Sequence, residues 1–186
     1  MNIGINARHL IKGKLEGIGW YSFEILNRLV LLMPKHNFFF FYDRKTDFLI
    51  SGENVFNLIL KPSARHPILF RIWFNYVLPK KFKKFKIDLF FSPDGFISLN
   101  TLIPQIGVIH DLNFEHYPED SPKWVSWYYR RYYPQYARKA NKIITVSEYS
   151  KNDISRCYGI NKEKISVVYN GVSNEFGPIS NEEKVK

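Results

Sequence analysis

Short apolar runs alternate with amphipathic stretches along nearly the whole chain, and this alternation limits the fold more than any other feature. The runs cover residues 3–6, 38–42, 55–60, 87–92, 105–109, 142–146 and 165–169. Each has strand length, and their continuous apolar character suits strands covered on both faces. Between the first two, residues 20–33 place Phe23, Leu26, Val30 and Met33 at helical spacing, with Pro34 as the stop. Residues 67–78 start a helix on proline and are apolar around most of the circumference, with Arg71 and Asn75 marking a polar stripe. Such a helix is buried or lies at a membrane interface. The basic run Lys80, Lys81, Lys83, Lys84 and Lys86 follows it. Ser121-Pro122 opens a helix to about Ala140, with serine as cap and Pro134 as a kink. Ser147 caps another to about Tyr158, where Gly159 ends it. Strand, helix, strand in this order predicts an α/β fold, an open and mostly parallel sheet with helices on both faces.

Sheets of that kind bind ligands at the carboxyl ends of their strands. Three marked turns fall there: Gly17-Ile18-Gly19, His110-Asp111 and Val146-Ser147. Gly17 and Gly19 stand at a helix mouth, where free backbone amides and the helix dipole favour an anion, or they form a plain turn. The third glycine of a dinucleotide fingerprint is absent, since Phe23 and Glu24 stand where it would fall. His110 ends an apolar strand, a position from which an imidazole can hydrogen-bond a substrate or move a proton. Asp111 beside it can accept from hydroxyls or orient a loop. Arg8, just past the first strand, can meet an anionic group or pair with a loop carboxylate. Asp94, in Pro93-Asp94-Gly95, can bind sugar hydroxyls or serve ordinary turn chemistry. His116 follows six residues after His110, but no other ligands stand at a familiar metal spacing, so no metal is expected.

Lysine and arginine number 27 against 17 acidic residues, a net charge of +10. An excess of this size suits an anionic partner or serves solubility alone. Residues 123–142 interleave Trp124, Trp127, Tyr128, Tyr129, Tyr132, Tyr133 and Tyr136 with Arg130, Arg131, Arg138 and Lys139. That mixture fits an anionic membrane interface, single-stranded nucleic acid, or a helix with an aromatic core face and a solvated basic face. The single cysteine, Cys157, excludes an intrachain disulfide and a cysteine-cluster metal site, and points to a reducing, cytoplasmic home. Asn2-Ile3-Gly4-Ile5-Asn6 lacks a basic segment followed by an apolar one, so no secretory leader is expected, and no stretch of about 18 apolar residues occurs.

Several segments, in order and at matching spacing, resemble the N-terminal half of a GT-B glycosyltransferase of family 4, a large group of retaining sugar transferases. They are Asn6-Ala7-Arg8 with Glu16-Gly17-Ile18-Gly19-Trp20-Tyr21; Val108-Ile109-His110-Asp111; residues 140–153 around Val146-Ser147-Glu148-Tyr149-Ser150; and residues 167–172 around Asn170-Gly171. Family members often carry Asp where Asn6 stands and Arg where Trp20 stands. The resemblance implies a Rossmann-like acceptor-binding domain over residues 1–172, half of a GT-B fold, with residues 173–186 starting the interdomain linker. The family's second domain, with its basic pair and Glu-x7-Glu motif, has no counterpart after Gly177, so the chain alone is expected to be inactive. The resemblance places Gly17 and Gly19 against the diphosphate of a nucleotide-sugar donor and His110 against the transferred sugar. Arg8, Asp94 and Asp111 would line the acceptor side, facing a glycan or a lipid-linked acceptor. It implies retention, no metal and no cofactor beyond the donor as co-substrate. It also implies an anionic membrane surface as partner, on the inner face, and no nucleic acid. The competing expectation is a basic, non-catalytic module that binds anionic membrane or nucleic acid.

Overall fold

The computed structural model describes residues 1–172 apart from Lys12, Lys14 and Phe48; the linker expected over 173–186 lies outside the described residues. Within them, seven strands form one parallel sheet: β1 (Asn2–Asn6), β2 (Asn37–Tyr42), β3 (Val55–Ile59), β4 (Leu89–Ser92), β5 (Gln105–Val108), β6 (Lys142–Thr145) and β7 (Ile165–Val167). The spatial order is β3-β2-β1-β4-β5-β6-β7. The chain therefore builds outward from β1 to one edge, returns to the other side of β1, and builds outward again. The reversal lies between β1 and β4. In an open parallel sheet such a switch point leaves a crevice outside the strands' carboxyl ends, and ligands bind there.

Both faces of the sheet are covered, and β2 shows why. Successive strand residues point to opposite sides. Phe38 and Phe40 join Ile3, Ile5, Leu26 and Val30 under α1 (Gly17–Leu32). Phe39 and Phe41 join Trp73, Phe74, Phe82 and Phe90 on the other side. Each phenylalanine so buried contributes about 1.5–3 kcal/mol, enough to hold the register of β2 against a one-residue slip that would exchange its faces.

The helix expected over 67–78 is longer. It runs as α2 (Pro67–Ile72), a π-helical segment (Trp73–Val77) and α3 (Leu78–Lys84), so most of the basic run rides on its last turns. Asn75 does not mark a solvent stripe. It is buried in the widened π segment, where its Oδ1 accepts from the backbone N–H of Leu99 at 2.7 Å. A short α4 (Asn113–His116) precedes α5 (Lys123–Lys139). The N-cap of α5 is Pro122, without a side-chain cap, so Ser121 does not play the expected part; Pro134 sits inside the helix without dividing it. α6 (Glu148–Tyr158) follows the sequence expectation: Ser147 Oγ accepts from Ser150 N–H at 3.0 Å, and Gly159 closes it at φ +65°. Among the described residues, no helix is long and apolar enough to cross a membrane.

Candidate active site

The loops after β1, β4 and β5 converge at the switch point. β4 ends at Ser92, and the turn Pro93-Asp94-Gly95 carries Asp94 into the interior, 3% exposed. Its Oδ1 accepts from Asn6 Nδ2 at 2.6 Å, from the Ser92 hydroxyl at 2.8 Å and from Phe96 N–H at 3.2 Å. Its Oδ2 accepts from Arg8 at 2.9 Å and from His9 Nε2 at 2.9 Å. The turn needs glycine next: Gly95 has φ +79°, and a Cβ there would stand 2.9 Å from the Val108 carbonyl oxygen. Burial alone would push the Asp94 carboxyl up. The Arg8 charge, with the hydrogen bonds from His9 and Arg8, outweighs burial and holds it well below the ordinary carboxylate range.

Arg8 is enclosed as well, at 7% exposure. Its guanidinium lies 4.6 Å from the Phe70 ring centroid and 4.7 Å from that of Phe96, and donates to the Ala64 carbonyl at 3.1 Å. Burial works against its charge, and Asp94 and Asp43 more than restore it. Of the two alternatives open in the sequence, Arg8 therefore takes the turn carboxylate. Asp94 is more than a turn residue, since it gathers donors from the ends of two strands. Both side chains are almost fully enclosed.

His9 escaped the sequence reading. Its side chain is 42% exposed although its Nε2 is tied to buried Asp94. The available signal was positional: it directly follows Arg8 beyond the end of an apolar strand.

His110 hangs from the same turn. Its Nε2 lies 2.9 Å from the Pro93 carbonyl oxygen. A carbonyl only accepts, so Nε2 carries the proton, and in the neutral ring Nδ1 is left as an open acceptor. The ring meets Tyr21 edge-on, centroids 4.6 Å apart. Tyr21 is the other residue the sequence reading passed over. Its hydroxyl is buried with no hydrogen-bond partner among the described residues, and burial pushes its pKa up to about 12.

Tyr21 sits one turn into α1, which begins at Gly17. Gly17 and Gly19 thus form the helix's first turn, where a preceding loop was expected. Glu16 supplies no side-chain cap, and Trp20 N–H, bonded to Glu16 O at 2.9 Å, is the first amide held in the helical pattern. The amides of Gly17, Ile18 and Gly19 precede it and have no backbone partner among the described residues, at the positive end of the helix dipole. Among the described residues, no atom lies within 4 Å of a Cβ built on Gly17; one on Gly19 would meet Leu15 Cδ2 at 3.1 Å and the His9 carbonyl oxygen at 3.4 Å. The loop bearing His9 therefore leans on that first turn. Gly17, Gly19 and His110 come together at one end of the molecule, with Arg8, His9 and Asp94 beneath and beside them.

Asp111 is exposed and accepts from Asn113 N–H at 2.9 Å, opening α4. His116 lies with Asp153 and Cys157, their possible ligand atoms all within 4.8 Å of one another. The Asp153 carboxylate accepts from His116 at 2.7 Å and from Arg156 at 2.9 Å. A metal ion there would have to compete with a guanidinium for that carboxylate.

Comparison with known proteins adds a family and a fold. The model of Glycosyltransferase Family 4 matches residues 17–176. No curated protein sequence matches. Among solved structures, a glycosyltransferase from Rickettsia africae is similar at 14% identity and TM-score 0.53, over 98% of this chain and 47% of its own. A lipopolysaccharide outer core galactosyltransferase is similar at 15% identity and TM-score 0.59, over 93% of this chain and 46% of its own. A UDP-GlcNAc 2-epimerase from Neisseria meningitidis is similar at 13% identity and TM-score 0.52, over 89% and 44%. The chain spans about half the length of these structures.

Proposed function

The chain belongs to glycosyltransferase family 4, and from that premise we propose that residues 1–172 form the acceptor-side wall of a retaining sugar transferase. The fold is the Rossmann-like N-terminal half of a GT-B enzyme. A C-terminal GT-B domain supplies the other wall, and this chain alone is inactive. The donor is a nucleotide sugar. Its diphosphate lies against the free amides of Gly17, Ile18 and Gly19, which meet the leaving charge without a metal or a further cofactor. His110 faces the transferred sugar, its Nδ1 accepting from a sugar hydroxyl. The acceptor is a glycan or a lipid-linked glycan. Asp111 lines its exposed rim, while Arg8 and Asp94 shape its side from within.

One observation carries this reading: His110 packs on Tyr21, one turn from the glycines, so imidazole and anion site share one end of the sheet. Titration of the full native protein with UDP, GDP and ADP tests it. One of the three should bind, and Gly17→Asp, which sets a carboxylate in open space at the helix mouth, should weaken that binding at least about tenfold, or about 1.4 kcal/mol. Equal affinity for Gly17→Asp and wild type would remove the glycine turn from the donor site.

Docking on the inner face of an anionic membrane also fits, and is favoured over nucleic acid by one surface. Ile68, Ile72 and Tyr76 are exposed at four-residue spacing from α2, and Trp124 and Trp127 are exposed at the start of α5. His66 stacks on Trp124 at 6.0 Å and joins the two. Arg71, Lys123 and Arg131 are exposed on the same segments, each worth about 1 kcal/mol near anionic lipid. Both helices begin at the carboxyl ends of strands, beside the crevice. The protein should sediment with phosphatidylglycerol vesicles and stay in solution with phosphatidylcholine alone. Equal partition between the two would exclude this docking mode.

A further inference from the structure

Away from the crevice, His116, Asp153 and Cys157 come together from two elements. Asp153 and Cys157 stand four residues apart on one face of α6, and His116 ends α4. The Asp153 carboxylate, 5% exposed, is the centre of the group. Its Oδ2 accepts from His116 Nε2 at 2.7 Å. Its Oδ1 accepts from Arg156 Nη2 at 2.9 Å and from Cys157 Sγ at 3.5 Å. The imidazole and the thiol therefore aim their protons at one carboxylate. With those protons gone, their lone pairs aim at the same point. Sequence spacing hides the group, because Asp153 stands 37 positions after His116, with Cys157 one helical turn beyond.

Imidazole nitrogen, carboxylate oxygen and thiolate sulfur in one small cluster are the donor set of zinc. The three atoms lie within 4.8 Å of one another, and zinc bonds of about 2.0–2.3 Å set tetrahedral ligands roughly 3.3–3.6 Å apart, so closing by about 1 Å completes the site. His116 and Cys157 are exposed and have room for that movement. We propose that His116, Asp153 and Cys157 bind one zinc ion, with water in the fourth position. The thiol proton leaves to solvent and Cys157 binds as the thiolate. The imidazole carries its proton at Nδ1 and binds through Nε2. Asp153 and Cys157 then bring two negative charges to the two positive charges of the ion. Arg156 is the competitor for the carboxylate. Its side chain is 74% exposed, and an ion pair so open to water is weakly held.

The bound ion fastens α4 to α6. α4 continues from His110-Asp111, so the clasp steadies the segment that carries His110 into the crevice. A second tie stands beside it: Glu115 accepts from the Tyr158 hydroxyl at 3.0 Å and from Arg130 at 3.1 Å. That tie keeps α4 in place when the metal ligands are changed. The zinc site takes no part in the proposed sugar transfer and stands whether or not that reading does.

The full native protein, kept reduced, is titrated with Zn²⁺ and, in parallel, with Co²⁺ as a coloured substitute. Zinc should raise the wild-type urea midpoint, and cobalt should bring in the near-ultraviolet charge-transfer band of a thiolate–metal bond. Cys157→Ser should abolish that band. Cys157→Ser and His116→Ala should each weaken zinc binding by more than the roughly 10–100-fold that loss of a mere supporting partner costs. Arg156→Gln, which removes the competing charge, should tighten it about two- to fivefold. Without metal, all three variants should unfold close to the wild-type midpoint, so that lost binding is not lost folding. Zinc should also slow alkylation of Cys157 in the wild type, a reading that needs no variant. No cobalt band in the wild type, a band that survives Cys157→Ser, zinc affinity unmoved by His116→Ala, or full-rate alkylation with zinc present would overturn the proposal.

Discussion

Replacing Asp94 with alanine should destabilise the fold by about 3–5 kcal/mol, read as a lower urea midpoint at constant slope. The cost is the charge left behind. Arg8 is 7% exposed and lies among Phe70, Phe74 and Phe96, with Asp94 as its nearest counter-charge. Removing the carboxylate also takes the acceptor from the Ser92 hydroxyl and Phe96 N–H, and leaves Asn6 Nδ2 with the Ser92 oxygen alone. A domain of this size holds about 5–15 kcal/mol in all, so the variant should be close to unfolding at physiological temperature. The same pair sets a direction with pH. The folded pKa of Asp94 lies below its unfolded value of about 3.9. Its contribution is therefore complete above that value and drains away as pH falls below it. Between pH 6 and pH 3 the wild-type midpoint should fall more steeply than that of Asp94→Ala. Parallel profiles, or an unchanged midpoint at pH 6, would show that the pair does not hold the turn.

The sheet was readable in the sequence because each strand is apolar enough to be covered on both faces, and the helix between β1 and β2 carries its own period and its proline stop. α6 was readable because a capping serine and a left-handed glycine are local signals, written within a few residues. Where tertiary contacts decide, the reading slipped. Asn75 looks like a solvent mark on a helical wheel, yet the Leu99 backbone, 24 residues away, draws it inside. Ser121 has the composition of a cap, but the chain enters α5 through Pro122 and leaves the serine outside. The candidate site divides in the same way. Gly17, Gly19 and His110 stand where strands end, which periodicity locates. His9 was invisible because its meaning comes from Asp94, 85 positions further along and brought beside it by the pairing of β1 with β4. Burial likewise encloses Arg8 and Asp94 against each other, which residue type could not foretell.

Substitution of His110 by alanine is the sharper test of the proposed chemistry. In the full native protein, sugar transfer should fall by roughly 10²–10³, the loss that follows when a reacting group is no longer held in position. The structural cost should be small: one hydrogen bond to the Pro93 carbonyl and an edge contact with Tyr21, about 1 kcal/mol in all. The two effects separate cleanly, because the urea midpoint should move little while turnover collapses. His110 is proposed to touch the donor sugar, so its loss should weaken donor affinity or hydrolysis even with water as acceptor, and added imidazole should not restore the rate, since position on the sugar, not a proton, has been lost. His110→Gln offers a finer cut. Its amide can donate to Pro93 in place of Nε2, which preserves the turn, but it cannot also present an acceptor where Nδ1 stood. Activity close to that of alanine in this variant would point to the open nitrogen as the functional atom. Wild-type turnover in either variant would instead leave His110 as a strut of the β4 turn and move the sugar contact elsewhere on the crevice.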